Sequence, residues 1–281
     1  MVAALSPSRA SDFKNCPLLY RFRVVDRLPS TPSPAAARGT LVHAVLERLF
    51  DLPAHERTLE AAAALVAPEW ERLVALEPEL AGLLDADDDG SADAWYHQAT
   101  GLVRTWFSLE DPTRLEPAER ELYVEAEVDG LTLRGYVDRL DVAPNGALRV
   151  VDYKTGRSPS ELFERSSLFQ MKFYALVLWR LHGVVPSMLQ LVYLGNGEIV
   201  RYVPDEADLL ATQRNIAALW RAIQRAAESG DWRPRRSKLC DWCDYRELCP
   251  EWGGTPPPLP ADAQQRAIDP EVVGRPAPAD D

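Results

Sequence analysis

The first part of the chain, up to about residue 110, carries apolar side chains at helical spacing. Ser6 and Pro7 have the form of an N-cap followed by proline at the first helical position, so we predict a short helix that reaches Cys16. A proline-rich stretch, 29–39, predicts a loop. From Thr40 onwards, apolar residues recur three and four positions apart and predict a strongly buried helix, and two more helical patterns follow it.

The periodicity changes near residue 120, where apolar and polar residues begin to alternate. Asp129-Gly130 interrupts this alternation and predicts the turn of a β-hairpin. A third strand, a helix, a second hairpin and a long helix are then predicted at 148–156, 160–182, 187–203 and about 205–229. The tail, 255–281, is rich in proline, alanine and acidic residues, and we expect it to be disordered. The pattern as a whole indicates one α/β domain over residues 1–254.

Length and composition are those of an ordinary globular protein. The 281 residues include 46% hydrophobic and 26% charged residues, enough to bury a full core. The net charge of −12 argues against a protein that coats nucleic acid, although bound cations or a local basic patch could reverse the field in one cleft. No apolar stretch is long enough to span a bilayer and no secretory signal is evident, so we expect a cytoplasmic protein whose four cysteines are free thiols or metal ligands.

Charged residues occupy strand positions that should be covered. Asp138 lies on the second strand of the hairpin, and Asp152 and Lys154 lie two apart on the next strand, hence on one face. If the two strands are neighbours, the two carboxylates repel each other unless a cation lies between them. Oxygen ligands suit Mg²⁺ or Mn²⁺, which polarise phosphoryl oxygens, and a lysine beside them would stabilise developing negative charge. The alternative is a simple ion pair of Asp152 with Lys154.

Two helices contribute further polar residues. His43 lies in the middle of the buried helix and, taken alone, is more often a core histidine than a ligand. Gln170 and Tyr174 are four residues apart and share one face of a helix. In chain order the motifs read G-x-x-x-H, G-x-x-D-R-x-D, D-x-K and Q-x-x-x-Y, on helix, strand, strand and helix.

This order of motifs resembles the RecB-like branch of the PD-(D/E)XK nuclease superfamily over roughly residues 38–195. The resemblance implies a restriction-endonuclease-like core, with a mixed central sheet flanked by helices, and helical additions to it. It implies ligands of a divalent metal ion at His43, Asp138, Asp152 and the backbone carbonyl of Tyr153. It further implies that Lys154 is the catalytic lysine and that Gln170 and Tyr174 act near the DNA and the active site. Asp152 stands where glutamate is often found, a difference that the superfamily accepts.

The four cysteines form a second pattern. Cys240, Cys243 and Cys249 read C-x-x-C-x-x-x-x-x-C, and Cys16 lies more than two hundred residues upstream. Four thiolates can hold a structural zinc ion or an iron–sulfur cluster, and the short C-x-x-C loop suits both.

The cysteine pattern resembles iron–sulfur nucleases of the same superfamily, such as the AddB nuclease domain and CRISPR-associated adaptation nucleases. The resemblance then covers about residues 5–252 and implies a [4Fe–4S] cluster that staples the N-terminal helix to the C-terminal segment. Nearby aromatic residues either pack around this centre or stack on bases, namely Trp232, Trp242, Tyr245 and Trp252. A basic run either contacts phosphate or is simply solvated, namely Arg233, Arg235 and Arg236.

Together the resemblances imply a metal-dependent DNA nuclease, and we expect an exonuclease of recombination or double-strand-break repair. One alternative is an adaptation nuclease that trims DNA for CRISPR arrays. Another is a non-catalytic DNA-binding or scaffold protein, which the intact set of predicted ligands and lysine argues against. The sequence contains no G-x-x-x-x-G-K-[ST] motif, so any helicase or ATPase partner would be a separate polypeptide.

Overall fold

The computed structural model of the protein describes residues 3–84, 91–158 and 161–268, apart from the side chains of residues 91 and 161–166. Within these residues the chain forms two compact units. The smaller unit is built from the described parts of Met1–Thr31, Glu125–Gly135 and Leu210–Asp281, and the larger unit from Pro32–Val124 and Tyr136–Leu209. The single nuclease domain over residues 1–254 stays a prediction.

The predicted helices and strands occur in the predicted order, and one short strand and two short helices that were not predicted occur besides them. The α-helices are α1 (Pro7–Asn15), α2 (Pro17–Tyr20), α3 (Pro34–Leu49), α4 (Leu59–Leu76), α5 (Ser91–Leu109), α6 (Glu161–His182), α7 (Glu206–Ser229) and α8 (Ala263–Ile268). The strands are β1 (Ala4–Leu5), β2 (Glu119–Val128), β3 (Leu131–Val142), β4 (Leu148–Lys154), β5 (Met188–Tyr193) and β6 (Glu198–Tyr202). Short turns of other helix types occur at Arg21–Val25, Ala54–Glu56, Pro78–Leu83, Pro112–Arg114, Lys238–Trp242, Arg246–Leu248 and Pro250–Trp252. None of the described helices is both long and apolar enough to cross a membrane.

The strands form a mixed sheet. In the larger unit the order is β3-β4-β5-β6, with β2 also paired to β3. β4 is antiparallel to β3 and parallel to β5, and helix α6 supplies the crossover that a parallel pair requires. In the smaller unit β1 pairs in parallel with the first residues of β3. A mixed sheet with helices on it confirms the predicted α/β class.

The hairpin turn between β2 and β3 forms where it was predicted. Asp129 and Gly130 have φ angles of 53° and 75°. Positive φ at both central residues is typical of the type I′ turn, whose twist matches that of the flanking strands.

The core of the larger unit lies between one face of the sheet and helices α3, α4 and α5. Val151 and Tyr153 of β4 and Val192 of β5 are at most 5% exposed and pack with buried residues of these helices. Because side chains alternate along a strand, Asp152 and Lys154 project from the opposite face of β4, which α6 covers. Strand β4 therefore separates an apolar face from a face that carries charge.

Helix α3 begins earlier than the sequence predicts. Ser33 caps it by accepting a hydrogen bond from the Ala36 N–H at 3.1 Å, and Pro34 takes the first helical position. The predicted loop 29–39 therefore overlaps the first turns of this helix. The reason is that proline needs no N–H partner at that position, and the alanines that follow favour helix.

Residues 255–268 differ from the predicted disordered tail. They include helix α8, in which Ala267 is fully buried and its carbonyl accepts a hydrogen bond from the Tyr20 hydroxyl at 2.7 Å. Tyr20 is itself buried, so its hydroxyl needs an acceptor, and this segment supplies one. Residues 269–281 of the predicted tail lie outside the described residues.

Candidate active site

His43 is held against the end of strand β4. Its Nε2 atom lies 3.0 Å from the carbonyl oxygen of Tyr153, so this nitrogen carries a proton and donates it. Its Nδ1 atom faces two carboxylates, with Asp138 Oδ2 at 3.5 Å and Glu121 Oε1 at 3.7 Å. The Tyr153 N–H donates to Asp138 Oδ2 at 2.7 Å, which ties the carboxylate of β3 to the backbone of β4.

His43, Glu121 and Asp138 form a compact group of potential metal ligands. One ligand atom from each residue lies within 4.8 Å of the others. Burial raises the pKa of Asp138, the carboxylates of Asp152 and Glu121 add to this effect, and together they outweigh His43 and bring the pKa to about 7. Burial lowers the pKa of His43, but Asp138 and Glu121 outweigh burial and raise it to about 9. When His43 is protonated, its positive charge reduces the repulsion between the neighbouring carboxylates.

Asp152 is only 2% exposed, and its two oxygens differ in their partners. Oδ1 accepts a hydrogen bond from Gln170 Nε2 at 3.0 Å. Oδ2 lies 2.7 Å from Lys154 Nζ but accepts no hydrogen bond of good geometry from the described residues. Lys154 Nζ in turn donates to Gln170 Oε1 at 2.9 Å. Burial lowers the pKa of Lys154, but the Asp152 carboxylate outweighs burial and raises it.

A cleft of about 500 Å³ opens beside these residues, within the range of substrate pockets. His43, Lys154, Ser167 and Tyr193 are among its lining residues. The strand-to-loop transition next to the cleft depends on glycine. A Cβ on Gly195 would lie 2.6 Å from backbone atoms of Gly156, too close for any side chain, and the Gly195 N–H donates to the Gly156 carbonyl at 3.0 Å.

Gly39 has a similar role one helical turn before His43. A Cβ at this position would lie 3.3 Å from Thr155 Oγ1. Glycine therefore avoids a tight contact between helix α3 and the Thr155 side chain at the end of β4.

Arg139 anchors the site from the apolar face of the sheet. Its side chain is 1% exposed and makes a bidentate ion pair with Glu110, with both N–O distances 2.8 Å. It also donates to the Tyr153 hydroxyl at 2.6 Å. Burial raises the pKa of Glu110, but Arg139 outweighs burial and holds this pKa below its ordinary value. The network fixes Tyr153, whose backbone contacts both His43 and Asp138.

The four cysteines lie together in the smaller unit. All of them line one cavity of about 50 Å³. The N–H of Arg235 donates to Cys16 Sγ at 3.3 Å, and that of Ser237 to Cys240 Sγ at 3.4 Å. Burial raises the pKa of Cys249, and the other three cysteines raise it further. Four sulfur atoms that share a cavity and influence one another electrostatically are a suitable donor set for a metal centre.

The aromatic residues beside the cysteines fall into two groups. Trp232 and Tyr245 are 5% and 4% exposed and are part of the packing. Trp252 lies under two guanidinium groups, those of Arg246 at 3.7 Å and Arg236 at 4.5 Å from the ring centre. Trp242 is 78% exposed, so it is the member of the predicted set that is accessible for stacking.

The predicted basic run is largely engaged with its neighbours. Arg233 pairs with Asp231 at 2.8 Å, and Arg235 donates to the carbonyl of Lys14. Arg236 lies over Trp252, as described above. These contacts favour a structural role, while the Arg233 side chain remains 83% exposed.

A family model for the PD-(D/E)XK nuclease superfamily matches residues 4–250 of this chain. The chain belongs to the PD-(D/E)XK nuclease superfamily. The mixed sheet and flanking helices are accordingly the restriction-endonuclease-like fold that the sequence predicts.

Relatives of this nuclease-superfamily chain occur in mycobacterial phages. The Gene 69 protein of Mycobacterium phage D29 is 27% identical over 266 residues, which cover 87% of this chain and 96% of the relative. The Gene 69 protein of Mycobacterium phage L5 is 24% identical over 284 residues, which cover 87% and 95%. A protein from Eubacterium rectale with a known crystal structure, described as a candidate exonuclease, has a similar fold, with a TM-score of 0.57. The two sequences are 15% identical, and the match covers 86% of this chain and 87% of that one. At this identity the likeness shows the fold alone.

The structure brings most of the predicted site residues together. Asp152, Lys154 and Gln170 form one hydrogen-bonded group, and burial raises the pKa of Tyr174, whose side chain contacts Gln170. The Tyr153 carbonyl, a metal ligand by resemblance, accepts a hydrogen bond from His43 instead. The ion pair of Asp152 and Lys154 that was the alternative interpretation does form, but as part of this larger group.

Glu121 is a residue of the site that sequence reasoning missed. In a regular strand it would share the outward face with Tyr123, which is 42% exposed. Its φ angle is +44°, a left-handed conformation that interrupts the pleat of β2 and directs the carboxylate towards His43. The alternating pattern carries no signal of this local change, although an acidic residue beside the predicted hairpin was a possible cue.

Proposed function

We propose that this nuclease-superfamily protein is a metal-dependent deoxyribonuclease, and specifically an exonuclease. The observation that carries the proposal is the convergence of acidic residues, a histidine and a lysine beside one cleft, from elements far apart in sequence. A structural ion pair alone would not need His43, Glu121, Asp138 and Asp152 at the same place. The finer choice of an exonuclease follows from the motif resemblance, and the description of the fold relative as a candidate exonuclease agrees with it.

The residues present fit a divalent metal ion. Asp152 Oδ2 is buried and accepts no hydrogen bond of good geometry from the described residues, although Lys154 Nζ lies 2.7 Å away. Burial and the neighbouring carboxylates raise the pKa of Asp138 to about 7. Carboxylates that are buried this close together are stabilised by a cation between them. We propose His43 Nδ1, Glu121, Asp138 and Asp152 as ligands of Mg²⁺ or Mn²⁺. When bound, the ion would polarise a phosphoryl oxygen and lower the pKa of a coordinated water.

Hydrolysis forms a bond from a water oxygen to phosphorus and breaks the bond from phosphorus to one ester oxygen. The water loses a proton and the ester oxygen gains one. Lys154 borders the cleft, and we propose that its ammonium stabilises the negative charge that develops on the phosphate. Gln170 bonds to both Lys154 and Asp152 and would keep the two groups in register during this change.

We also propose that the four cysteines hold a [4Fe–4S] cluster. All four cysteines line one cavity, as a shared metal centre requires. The resemblance of their spacing to iron–sulfur nucleases favours a cluster over a single zinc ion. Structural zinc is the alternative outcome of the same donor set.

The biological role we propose is recombination or double-strand-break repair, with DNA as substrate and any helicase on a separate polypeptide. Trp242, which is 78% exposed, provides an aromatic surface on which bases of single-stranded DNA could stack. An adaptation nuclease that trims DNA for CRISPR arrays would use the same chemistry.

The test is incubation of the anaerobically prepared protein with end-labelled single- and double-stranded DNA and with RNA, in Mg²⁺, Mn²⁺ or chelator. We expect DNA cleavage that requires the metal and shortens substrates from an end. If the products are internal fragments and the substrates are not shortened from an end, the protein is an endonuclease and not an exonuclease. DNA binding without cleavage in any metal would instead support the scaffold alternative.

A further inference from the structure

Tyr193 carries a buried hydroxyl group that the proposed chemistry leaves unused. The residue is the last of strand β5 and is 3% exposed. Its hydroxyl has no hydrogen-bond partner among the residues that the structure describes. A buried hydroxyl without a partner reduces stability and therefore needs an explanation, and a partner that arrives during function is one.

The position of Tyr193 indicates which group that partner is. In the parallel pair of β4 and β5 it lies directly opposite Lys154, so both side chains project from the same face of the sheet. Both residues line the same cleft. The two are close enough that the phenol oxygen contributes to the electrostatic surroundings of the ammonium group.

The hydrogen-bonding capacity of Lys154 leaves room for this contact. Its ammonium has three donors, of which one goes to Gln170 Oε1 and one faces Asp152 Oδ2. A carboxylate that ligates a cation is a weaker partner for an ammonium group, because the cation withdraws its negative charge. Lys154 then needs another acceptor if it is to stay at the edge of the cleft.

We propose that Tyr193 is a positioning residue, whose hydroxyl accepts a hydrogen bond from Lys154 once the Asp152 carboxylate has turned to the metal ion. This inference rests on the proposed function, since it assumes the cation at Asp152. The hydrogen bond forms in the metal-loaded protein only, so its free energy contributes to metal affinity and to catalysis and not to the stability of the metal-free fold.

The matched control is Tyr202, on the neighbouring strand β6. Its hydroxyl already bonds to Lys172 at 2.9 Å and to Asp208, outside the candidate site. Tyr193→Phe and Tyr202→Phe remove the same atom from the same sheet. They are expected to have opposite effects, because one hydroxyl lacks a partner in the metal-free protein and the other has two.

The experiment measures three quantities for each variant: thermal unfolding of the metal-free protein, Mn²⁺ affinity by calorimetry, and kcat for DNA cleavage. Tyr193→Phe should unfold at an equal or higher temperature than the wild type. It should lower Mn²⁺ affinity and kcat by about tenfold, the effect of losing one hydrogen bond to a charged group. Tyr202→Phe should lower the unfolding temperature and leave Mn²⁺ affinity and kcat unchanged.

A double-mutant cycle on Mn²⁺ affinity tests whether Tyr193 acts through the lysine. In a Lys154→Ala background, Tyr193→Phe should change the affinity by less than about twofold, because the donor is already gone. A tenfold effect that persists in this background would overturn the inference, as would a Tyr193→Phe protein with wild-type affinity and kcat. If the wild type itself neither binds Mn²⁺ nor cleaves DNA, the proposed function fails first, and this inference fails with it.

Discussion

Replacing Arg139 by methionine tests whether the buried network beneath the active site is as important as its geometry indicates. Methionine keeps much of the volume of the arginine side chain and removes its charge and donors. Glu110, with a side chain that is 7% exposed, would then be a buried carboxylate without its bidentate partner. The Tyr153 hydroxyl, also buried, would lose a partner at 2.6 Å.

The size of the expected loss in stability depends on the hydrogen bonds that Glu110 and Tyr153 keep in the variant. Removing one partner of a buried ion pair typically costs about 3–5 kcal/mol. Glu110 keeps two other donors, Trp106 Nε1 at 2.8 Å and Gln190 Nε2 at 3.0 Å, which reduces the cost of the carboxylate itself. The orphaned Tyr153 hydroxyl adds roughly 1–3 kcal/mol. We therefore expect a loss of about 4 kcal/mol in the free energy of unfolding of the larger unit.

Urea unfolding followed by circular dichroism measures this loss, with Arg149→Met as the control. Arg149 pairs with Asp141 at 2.8 Å but is 33% exposed, so its pair should contribute only about 0.2–1 kcal/mol. Adding Glu110→Gln to Arg139→Met removes the stranded charge and should restore roughly half of the lost stability. The reasoning is refuted if Arg139→Met costs no more than Arg149→Met, or if the second substitution deepens the loss.

Four further predictions concern the site and the cysteines. Lys154→Ala should reduce DNA cleavage by about a hundredfold or more and preserve DNA binding, because it removes one electrostatic stabiliser; cleavage at the wild-type rate would exclude the lysine from the reaction. Mn²⁺ affinity should rise with pH by roughly tenfold per unit between about 7 and 9. The reason is that His43, whose pKa is raised to about 9, must lose its Nδ1 proton before this nitrogen can bind the metal ion. If calorimetry shows an affinity that does not change with pH, His43 is not a ligand. In the metal-free protein the same raised pKa gives stability that is complete below the ordinary value of 6.5 and disappears as the pH rises through about 9. The anaerobically prepared protein should be brown and contain about four iron atoms per chain, and the Cys16→Ser variant should contain less iron and unfold at a lower temperature. A measured content of one zinc ion per chain would show that the centre is a zinc site. An unfolding temperature that Cys16→Ser leaves unchanged would contradict a centre shared by the four cysteines.

Local patterns determine a large part of this molecule. The order of helices and strands, the turn at Asp129-Gly130 and the stop of α6 before Gly183, which has a φ angle of +71°, all follow from periodicity and backbone preference. The motif residues His43, Asp138, Asp152 and Lys154 could likewise be named in advance, because a charged residue in an apolar strand or helix needs a physical reason to be there.

Other features depend on contacts between residues far apart in sequence, which no local pattern contains. Glu121 belongs to the site because a left-handed residue turns it inward, against the alternation of its strand. Arg139 was part of a predicted motif without a predicted role, since its partner Glu110 lies on the segment after α5. The segment that includes Ala267 is ordered because the buried Tyr20 hydroxyl finds its acceptor there.

One physical cause separates the features that the sequence determines from those that only the tertiary structure decides. Hydrophobic periodicity and turn preferences are short-range properties, so the sequence alone determines which elements form and which faces of them are apolar. Hydrogen bonds and ion pairs depend on distances of about 3 Å between side chains, and only the packed tertiary structure sets these distances. The tertiary structure decides that Asp152 and Lys154 both form hydrogen bonds with Gln170. It also places His43 next to two carboxylates and leaves the Tyr193 hydroxyl without a hydrogen-bond partner among the described residues.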